Sequence, residues 1–312
     1  MLIEERSESI RETIIEVFIM IKIKWFKGQW LHITFGKVLL LVVMLALVCF
    51  TALPLVYVVV TAFKPLDELN LYPPTFTVKN PTGKNFSDLV ISLGSSAVPF
   101  TRYAFNSVVI TVTIVLLTVA VSSLAAYSLV KFKPKGGQVL FNLILVALMF
   151  SPHVTKIPSY MIVNKLKLIN TYWALILPSI AVAYNCFLMK QFIEQYPDEL
   201  IEAARIDGAG ELKIFWKMVM PALAPAWSTL IVFSFVANWN DYFSPLIYIT
   251  SQAMKTLPLA LQTIGGGAAG MSVSRAGAVA AATLLMTLPT VVIFTVMQGK
   301  VMETMAYSGI KG

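Results

Sequence analysis

The sequence EAARIDGAGELKIFWKMVMP occupies residues 202–221, between two hydrophobic stretches that are each long enough to cross a bilayer. Pro, Asp and Glu at 197–199 favour a helix start, because proline fits a first helical turn and acidic side chains complement the positive end of the helix dipole. Gly208 is expected to end this helix in the left-handed conformation, and a second helix is expected to follow. The stretch therefore predicts two short helices around a turn, with an exposed tip of small residues at 203–209.

The pattern of the second helix predicts one apolar face and one basic face. The apolar face is expected to consist of Leu212, Phe215, Trp216 and Val219, and the basic face of Lys213 and Lys217. Pro221 is expected to stop the helix before the next hydrophobic stretch.

The composition is too apolar for an ordinary soluble domain, since 57% of the 312 residues are hydrophobic and 13% are charged. The hydrophobic residues are clustered into runs of about 20, the length that spans the hydrocarbon core of a bilayer. Such runs cover about 38–62, 104–130, 138–158, 172–193, 224–249 and 278–299. They predict an all-α integral membrane protein with six transmembrane helices in a domain of residues 38–312, in which the loop 194–221 connects the fourth and fifth helices.

The distribution of basic residues predicts that both termini are cytoplasmic. In that orientation the inside segments hold fifteen of the 24 Lys and Arg residues, in agreement with the positive-inside rule. The strongly basic loop 131–137 carries most weight, because short loops obey the rule best, whereas Lys156, Lys165 and Lys167 depart from it on the outside. The net charge of +8 has the same origin, and no basic patch with interleaved aromatic residues stands outside the runs, so no nucleic-acid partner is expected.

Residues 1–37 are expected to form a cytoplasmic N-terminal segment. Apolar residues alternate with lysines over 10–31, and Trp25 and Trp30 lie near the end of that stretch. This pattern predicts an interfacial helix on the inner leaflet, with the lysines toward the headgroups and the tryptophans at the boundary. A disordered tail is the alternative.

No catalytic, metal or nucleotide site is predicted. The pattern G-x-x-x-x-G-K-[ST] of a phosphate-binding loop does not occur in the sequence. Cys49 and Cys186 lie inside predicted membrane helices and indicate neither a disulfide framework nor a metal site. An intramembrane enzyme needs converging carboxylates, a His cluster or a Ser/His arrangement within the spans, and a secondary transporter acting alone needs broken helices with paired ionisable residues and an inverted repeat. Neither pattern is visible.

Polar residues inside the predicted spans are candidates for a solute pathway. Asp241 lies deep in the fifth span, where an acid is costly unless it faces water or a partner. Trp239 and Asn240 beside it suit a sugar, because hydroxyl groups need acceptors and the C–H face of a sugar stacks on an aromatic ring. Asn185 in the fourth span is a further candidate. The alternative is that these residues pack helices together and anchor the membrane interface.

The 202–221 stretch resembles the EAA loop of permease subunits in ATP-binding-cassette importers. The resemblance rests on Glu202-Ala203-Ala204, on Gly208 at the expected offset and on Pro221 thirteen residues later. The usual Ile-x-Leu-Pro ending is Met-Val-Met-Pro here, which is apolar in kind. The resemblance implies that the residues that couple the chain to a cytoplasmic ATPase are Glu202, Ala203, Ala204, Arg205, Asp207 and Gly208.

Further motifs resemble the maltose-type carbohydrate importer permeases, in particular the subunit with six spans and a short C-terminal tail. These motifs are Asn106-Ser107, Ala125-Ala126-Tyr127 with Phe132, Leu168-Ile169-Asn170-Thr171, Trp239-Asn240-Asp241, Leu257-Pro258-Leu259-Ala260 and Gly309-Ile310-Lys311-Gly312. The resemblance implies that Lys311 and Gly312 contact the ATPase dimer. The Gly-rich segment 263–275 matches the position of a loop that enters the binding protein, with a slack connector as an equal alternative.

The same resemblance implies the partners and the setting. The chain is expected to be a multi-pass protein of the plasma (cytoplasmic) membrane of a prokaryote and to pair with a second, different permease subunit, with a homodimer as the alternative. Two cytoplasmic ATPase subunits are expected to bind ATP and Mg, so this chain carries no cofactor, and an extracytoplasmic sugar-binding protein delivers the solute. The expected solute is carbohydrate, in particular oligosaccharide. A non-sugar solute is the alternative, and the three outside lysines hint at an anionic saccharide.

Overall fold

The computed structural model describes residues 21–24, 30–33, 35–73, 75–94, 98–265 and 273–309. Helices account for most of these residues. The chain divides into two compact units, Met1–Val60 and Thr61–Gly312.

The first unit contains two short strands and most of one long helix. Strands β1 (Ile21–Lys24) and β2 (Trp30–Ile33) pair antiparallel, with Ile21 opposite Ile33, and helix α1 spans Phe35–Ala62. The interfacial helix predicted over 10–31 is therefore wrong for the strand residues, and the rest of that stretch lies outside the described residues. A strand forms at Ile-Lys-Ile-Lys because its apolar and charged residues alternate with period two and its isoleucines are β-branched, and both features favour a strand.

In the described part of the second unit, all regular secondary structure is helical. Its helices are α2 (Leu66–Leu69), α3 (Lys84–Gly94), α4 (Phe100–Tyr127), α5 (Gly137–Ala147), α6 (Pro152–Lys165), α7 (Trp173–Ile180), α8 (Ala183–Glu194), α9 (Asp198–Ile206), α10 (Glu211–Ile214), α11 (Met220–Ala222), α12 (Ala224–Trp239), α13 (Phe243–Tyr248), α14 (Leu257–Gly265) and α15 (Val273–Gly309). A π-helical segment extends α4 through Ser128–Phe132, and a second one, Phe215–Val219, joins α10 to α11. A 3₁₀ turn covers Gln252–Met254.

In the described part of the chain, three helical stretches are long and apolar enough to cross a membrane: Val38–Ala62, Phe100–Phe132 and Ala276–Met302. Three further stretches reach the required length only as pairs of helices joined at a sharp bend. The pairs are α5 with α6 at 116°, α7 with α8 at 43°, and the helical segment Glu211–Ala222 with α12 at 79°.

The predicted spans 138–158, 172–193 and 224–249 are therefore wrong as continuous helices. The first breaks before Pro152, because proline disfavours helical geometry in the residue that precedes it. The second breaks after Pro178, whose missing N–H removes a helical hydrogen bond. The third breaks between Trp239 and Phe243, and the stretch that follows forms the separate helix α13.

Helix α4 lies at the centre of the second unit. It packs against α7, α8 and α12, and α12 packs in turn against α15. Ser122, Ser123 and Ala126 on α4 are buried, and small residues such as these permit close helix packing. This arrangement brings the ends of α4 close to both of the sites described next.

Candidate functional site

The 194–221 loop contains two helices around a glycine turn. Helix α9 ends at Ile206, and Gly208 has a φ of +78°, as the sequence predicts. The Gly208 N–H donates to the Arg205 carbonyl at 3.0 Å and the Ala209 N–H to the Ala204 carbonyl at 2.9 Å. This pair of bonds is the Schellman arrangement, in which a left-handed residue lets the chain satisfy the last carbonyls of a helix.

One face of the loop is built into the apolar core. Ile201, Ala204, Ile214, Phe215 and Val219 are buried in one cluster with the end of α4. The buried face of the second helix therefore differs from the prediction, because the wider π-helical segment turns Phe215 and Val219 inward together with Ile214. The predicted tip of small residues is also wrong in part, since Ala204 belongs to the core.

The opposite face of the loop is exposed and partly apolar. Among its apolar side chains, Ile206 is 86% exposed, Leu212 is 70% exposed and Trp216 is also exposed. The other exposed residues of the predicted motif are Glu202, Ala203, Arg205, Asp207 and Gly208. Several large apolar side chains exposed within one short segment are typical of an interaction site.

Glu211 holds the two loop helices together and joins them to α4. The Arg205 Nε donates to Glu211 Oε1 at 2.6 Å, and the Tyr127 hydroxyl donates to Glu211 Oε2 at 3.0 Å. Tyr127 is buried, and its ring contacts the rings of Phe132 and Phe215 with centroids 5.8 and 5.2 Å away. Glu211 is not among the coupling residues predicted from the sequence.

A second polar contact fastens the start of α9. Lys131, in the π-helical extension of α4, donates to Asp198 Oδ1 at 2.6 Å and to the Tyr196 carbonyl at 2.7 Å. The pKa of the Asp198 carboxyl is held below its ordinary value, chiefly by the hydrogen bond from Lys131 and next by the positive charge of Lys131. The contact places the basic loop 131–137 beside the 194–221 loop.

A small cleft opens near the other end of α4, between α4, α7 and the α12–α13 break. Seven of its lining residues are polar, namely Ser107, Thr111, Ser179, Asn238, Asp241, Ser244 and Thr256. Asp241 Oδ1 accepts hydrogen bonds from the N–H groups of Phe243 and Ser244 at 2.9 and 3.1 Å, so Asp241 starts helix α13. Lys156 Nζ donates to Ser244 Oγ at 2.6 Å.

The structure does not bring the four predicted pathway residues together. Asp241 lines the cleft, whereas Trp239 is 5% exposed, stacks on Phe235 and donates from Nε1 to the Met286 carbonyl at 3.0 Å. Asn240 is exposed and donates to the Val236 carbonyl of its own helix. Asn185 is buried in α8. For Trp239, these contacts favour the alternative of helix packing.

Two asparagines from the motifs that resemble carbohydrate importer permeases bind backbone groups near the cleft. Asn106 Nδ2 donates to the carbonyls of Ala253 and Lys255, both at 2.9 Å, and its Oδ1 accepts from the Tyr172 hydroxyl. Asn170, at a φ of +62°, accepts on its Oδ1 from the N–H of Ser251 at 2.8 Å. These residues position the walls of the cleft. Lys311, Gly312 and most of 263–275 lie outside the described residues.

Membrane-length helices joined by a loop with an exposed apolar surface are typical of a multi-pass membrane subunit that binds a partner protein. Residues 118–301 match the family described as the binding-protein-dependent transport system inner membrane component. This match covers more than half of the chain, and the chain belongs to that family of inner membrane proteins.

Two relatives from different systems resemble most of the chain. The arabinooligosaccharides transport system permease protein AraQ of Halalkalibacterium halodurans is 30% identical over 226 residues, which are 72% of this chain and 80% of the relative. The sn-glycerol-3-phosphate transport system permease protein UgpE of Escherichia coli O1:K1 is 33% identical over 236 residues, which are 75% and 83% of the two chains.

A solved structure has the same fold. It belongs to a bacterial ABC transporter involved in the import of the acidic polysaccharide alginate, with a TM-score of 0.74 and 21% identity over 85% of this chain and 95% of the other. A second structure, of a bacterial alginate ABC transporter in complex with an alginate pentasaccharide-bound periplasmic protein, has a TM-score of 0.54 and 14% identity.

Proposed function

We propose that this chain is the transmembrane permease subunit of an ATP-driven, binding-protein-dependent importer of carbohydrate. It forms half of a translocation pore with a second, different permease subunit. Two cytoplasmic ATPase subunits bind ATP and Mg, and a sugar-binding protein outside the membrane delivers the solute. ATP-driven closure of the ATPases moves the 194–221 loop and thereby switches the pore between its inward-facing and outward-facing forms.

The shape of the 194–221 loop is the observation that carries this proposal. One face is anchored in the core, and the other exposes Ile206, Leu212 and Trp216 beside the charged groups of Glu202 and Asp207. An apolar centre with a charged rim suits a protein–protein contact. We assign this face to the ATPase, with Lys311 and Gly312 as secondary contacts.

Six membrane crossings with both termini in the cytoplasm fit the arrangement of the loops. The Lys131–Asp198 ion pair joins the loops 131–137 and 194–221 at one end of α4, as an assignment of both to the cytoplasm requires. At the other end, Asn106 holds Ala253 and Lys255, which supports a common outside location for these segments. In this topology the bent pairs α5–α6 and α7–α8 each form one crossing, whereas Glu211–Ala222 stays in the cytoplasm and the crossing that follows begins with α12.

The relatives and the cleft support a carbohydrate solute. AraQ is described as a transporter of arabinooligosaccharides, and the structural neighbour as an importer of the polysaccharide alginate. The hydroxyl, amide and carboxylate groups around Asp241 suit a solute rich in hydroxyl groups. A second candidate is a phosphorylated polyol, since UgpE is described as a permease for sn-glycerol 3-phosphate. We assign Asp241 to the proposed pathway because it lines the cleft, and we keep Asn185 and Asn240 as further candidates, whereas Trp239 packs helices together.

Co-purification with an ATPase tests the proposed coupling role. The native chain, purified from the membranes of its own organism, is expected to bring down an ATPase and a second permease subunit. Gly208→Arg places a long, charged side chain at the left-handed turn and is expected to abolish solute-stimulated ATP hydrolysis. Recovery of the native chain without an ATPase partner would contradict the proposal.

A further inference from the structure

The polar contacts between the loop and α4 attach it at two separate points. Tyr127 and Lys131 lie one helical turn apart at the end of α4, and they bind Glu211 and Asp198 respectively. Asp198 opens the first loop helix and Glu211 opens the second. We define Tyr127, Lys131, Asp198, Arg205 and Glu211 as the loop attachment.

Glu211 is the residue at which three elements meet. Its two carboxylate oxygens are divided between Arg205 of α9 and Tyr127 of α4, while Glu211 itself belongs to α10. A carboxylate that accepts from two donors at fixed directions holds both of them more tightly than a neutral acceptor does. The loss of this one side chain therefore removes the polar contacts of α10 with α9 and with α4, and leaves Lys131 and Asp198 as the remaining polar attachment of the loop.

The burial of the two α4 residues makes these contacts specific. Tyr127 is 3% exposed, so its hydroxyl needs a protein partner, which Glu211 provides. The side chain of Lys131 is 5% exposed, and its ammonium group is held by Asp198 and the Tyr196 carbonyl. Buried donors of this kind fix the relative position of two elements, whereas apolar contacts alone permit sliding.

We propose that Glu211 is the principal positioning residue of energy coupling in this chain. Through the loop attachment it makes the 194–221 loop and α4 move as one body, so that displacement of the loop reaches the cleft beside Asp241 at the far end of α4. This inference rests on the proposed function, because it names the contacts that transmit the movement.

Measurement of the coupling ratio, the number of ATP molecules hydrolysed per solute molecule imported, tests this role in reconstituted complexes. The labelled solutes are arabinotriose, sn-glycerol 3-phosphate and an alginate trisaccharide. Tyr127→Phe and Glu211→Gln are each expected to raise the ratio at least about threefold, the scale of one lost hydrogen bond. The matched control is Lys190→Gln, which removes an ion pair with Glu194 from a position outside the 194–221 loop and is expected to leave the ratio unchanged.

Two combined variants distinguish pairing from general damage. The double variant of Tyr127→Phe with Glu211→Gln is expected to behave like Glu211→Gln alone, because both remove the same bond. Lys131→Asp and Asp198→Lys are each expected to raise the ratio, and their combination is expected to restore it. Variants that lower complex assembly while the ratio stays native would overturn the proposal, because they would reveal a merely structural role.

A distance measurement tests the attachment without any solute or ATPase activity. In a background with Cys49→Ser and Cys186→Ser, spin labels at Lys213→Cys and Lys133→Cys report the separation of the loop and the end of α4. The distribution of distances between the two labels is expected to be narrow and to be the same with and without ATP. In Glu211→Gln it is expected to broaden. A native distribution in that variant would overturn the proposal. An absence of solute-stimulated hydrolysis in the native complex, together with a narrow distribution, would instead contradict only the proposed function.

Discussion

Gly208 has a backbone conformation that other residues adopt only at a cost. At a φ of +78° an added Cβ would meet no atom within 4 Å among the described residues, so strain comes from the backbone alone. Gly208→Ala is expected to lose about 1–2 kcal/mol of stability in the turn and to weaken solute-stimulated ATP hydrolysis. Gly210→Ala is the control, because Gly210 has a φ of −71° and equally open surroundings. Equal activity and thermal stability of the two variants would refute this explanation.

Gly277 allows α15 to approach α3. A Cβ at this position would collide with the Asn85 side chain, whose Nδ2 donates to the carbonyls of Ala62 and Lys64 at 2.9 and 2.7 Å. Gly277→Ala is expected to cost about 1–3 kcal/mol, because displacement of Asn85 leaves buried carbonyls unpaired. Thermal unfolding in detergent measures the loss. Gly299→Ala in the same helix, where a Cβ has open space, is expected to be neutral, and equal unfolding midpoints for both variants would contradict the contact.

At the scale of elements, Asp241 has both a structural and a proposed transport role. Its Oδ1 caps α13, and its carboxylate lines the cleft. Asp241→Ala is expected to cost about 1 kcal/mol as a lost cap, whereas Asp241→Asn retains an acceptor oxygen and is expected to unfold at the native temperature. Asp241→Asn is nevertheless expected to import solute about tenfold less well, since a charged acceptor is lost. If Asp241→Asn imports solute at the native rate, the proposed transport role is contradicted and only the capping role of Asp241 remains.

The sequence predicted which segments are helical better than how they bend and meet. Hydrophobic runs identify spans because the bilayer requires length and low polarity, and the Gly208 turn was predicted because few residues tolerate a positive φ. The 116° bend between α5 and α6 was missed, because a run of apolar residues is compatible with straight and bent geometry. The Tyr127–Glu211 and Lys131–Asp198 contacts were also missed, since they join residues 84 and 67 positions apart. For Trp239, the sequence context predicted contact with a sugar, whereas in the structure the side chain is buried against Phe235 and Met286.

At the scale of the whole molecule, the proposed topology predicts which residues each side of the membrane can reach. In a background without Cys49 and Cys186, a cysteine at Lys133 is expected to react with an impermeant thiol reagent from the cytoplasm alone, because the basic loop around it stays inside. A cysteine at Tyr72, which is 93% exposed, is expected to react from the outside alone. Reaction of both cysteines from the same side would contradict the six-span arrangement.

The central claim is that this chain couples ATP hydrolysis by partner subunits to solute import. Its most direct test is the ATPase activity of the purified complex in lipid vesicles, with the binding protein preloaded in turn with arabinotriose, an alginate trisaccharide or sn-glycerol 3-phosphate. We predict that one of these solutes stimulates hydrolysis severalfold and that Gly208→Arg abolishes the stimulation. Hydrolysis that does not respond to any loaded binding protein, or that responds equally with Gly208→Arg, would contradict the account.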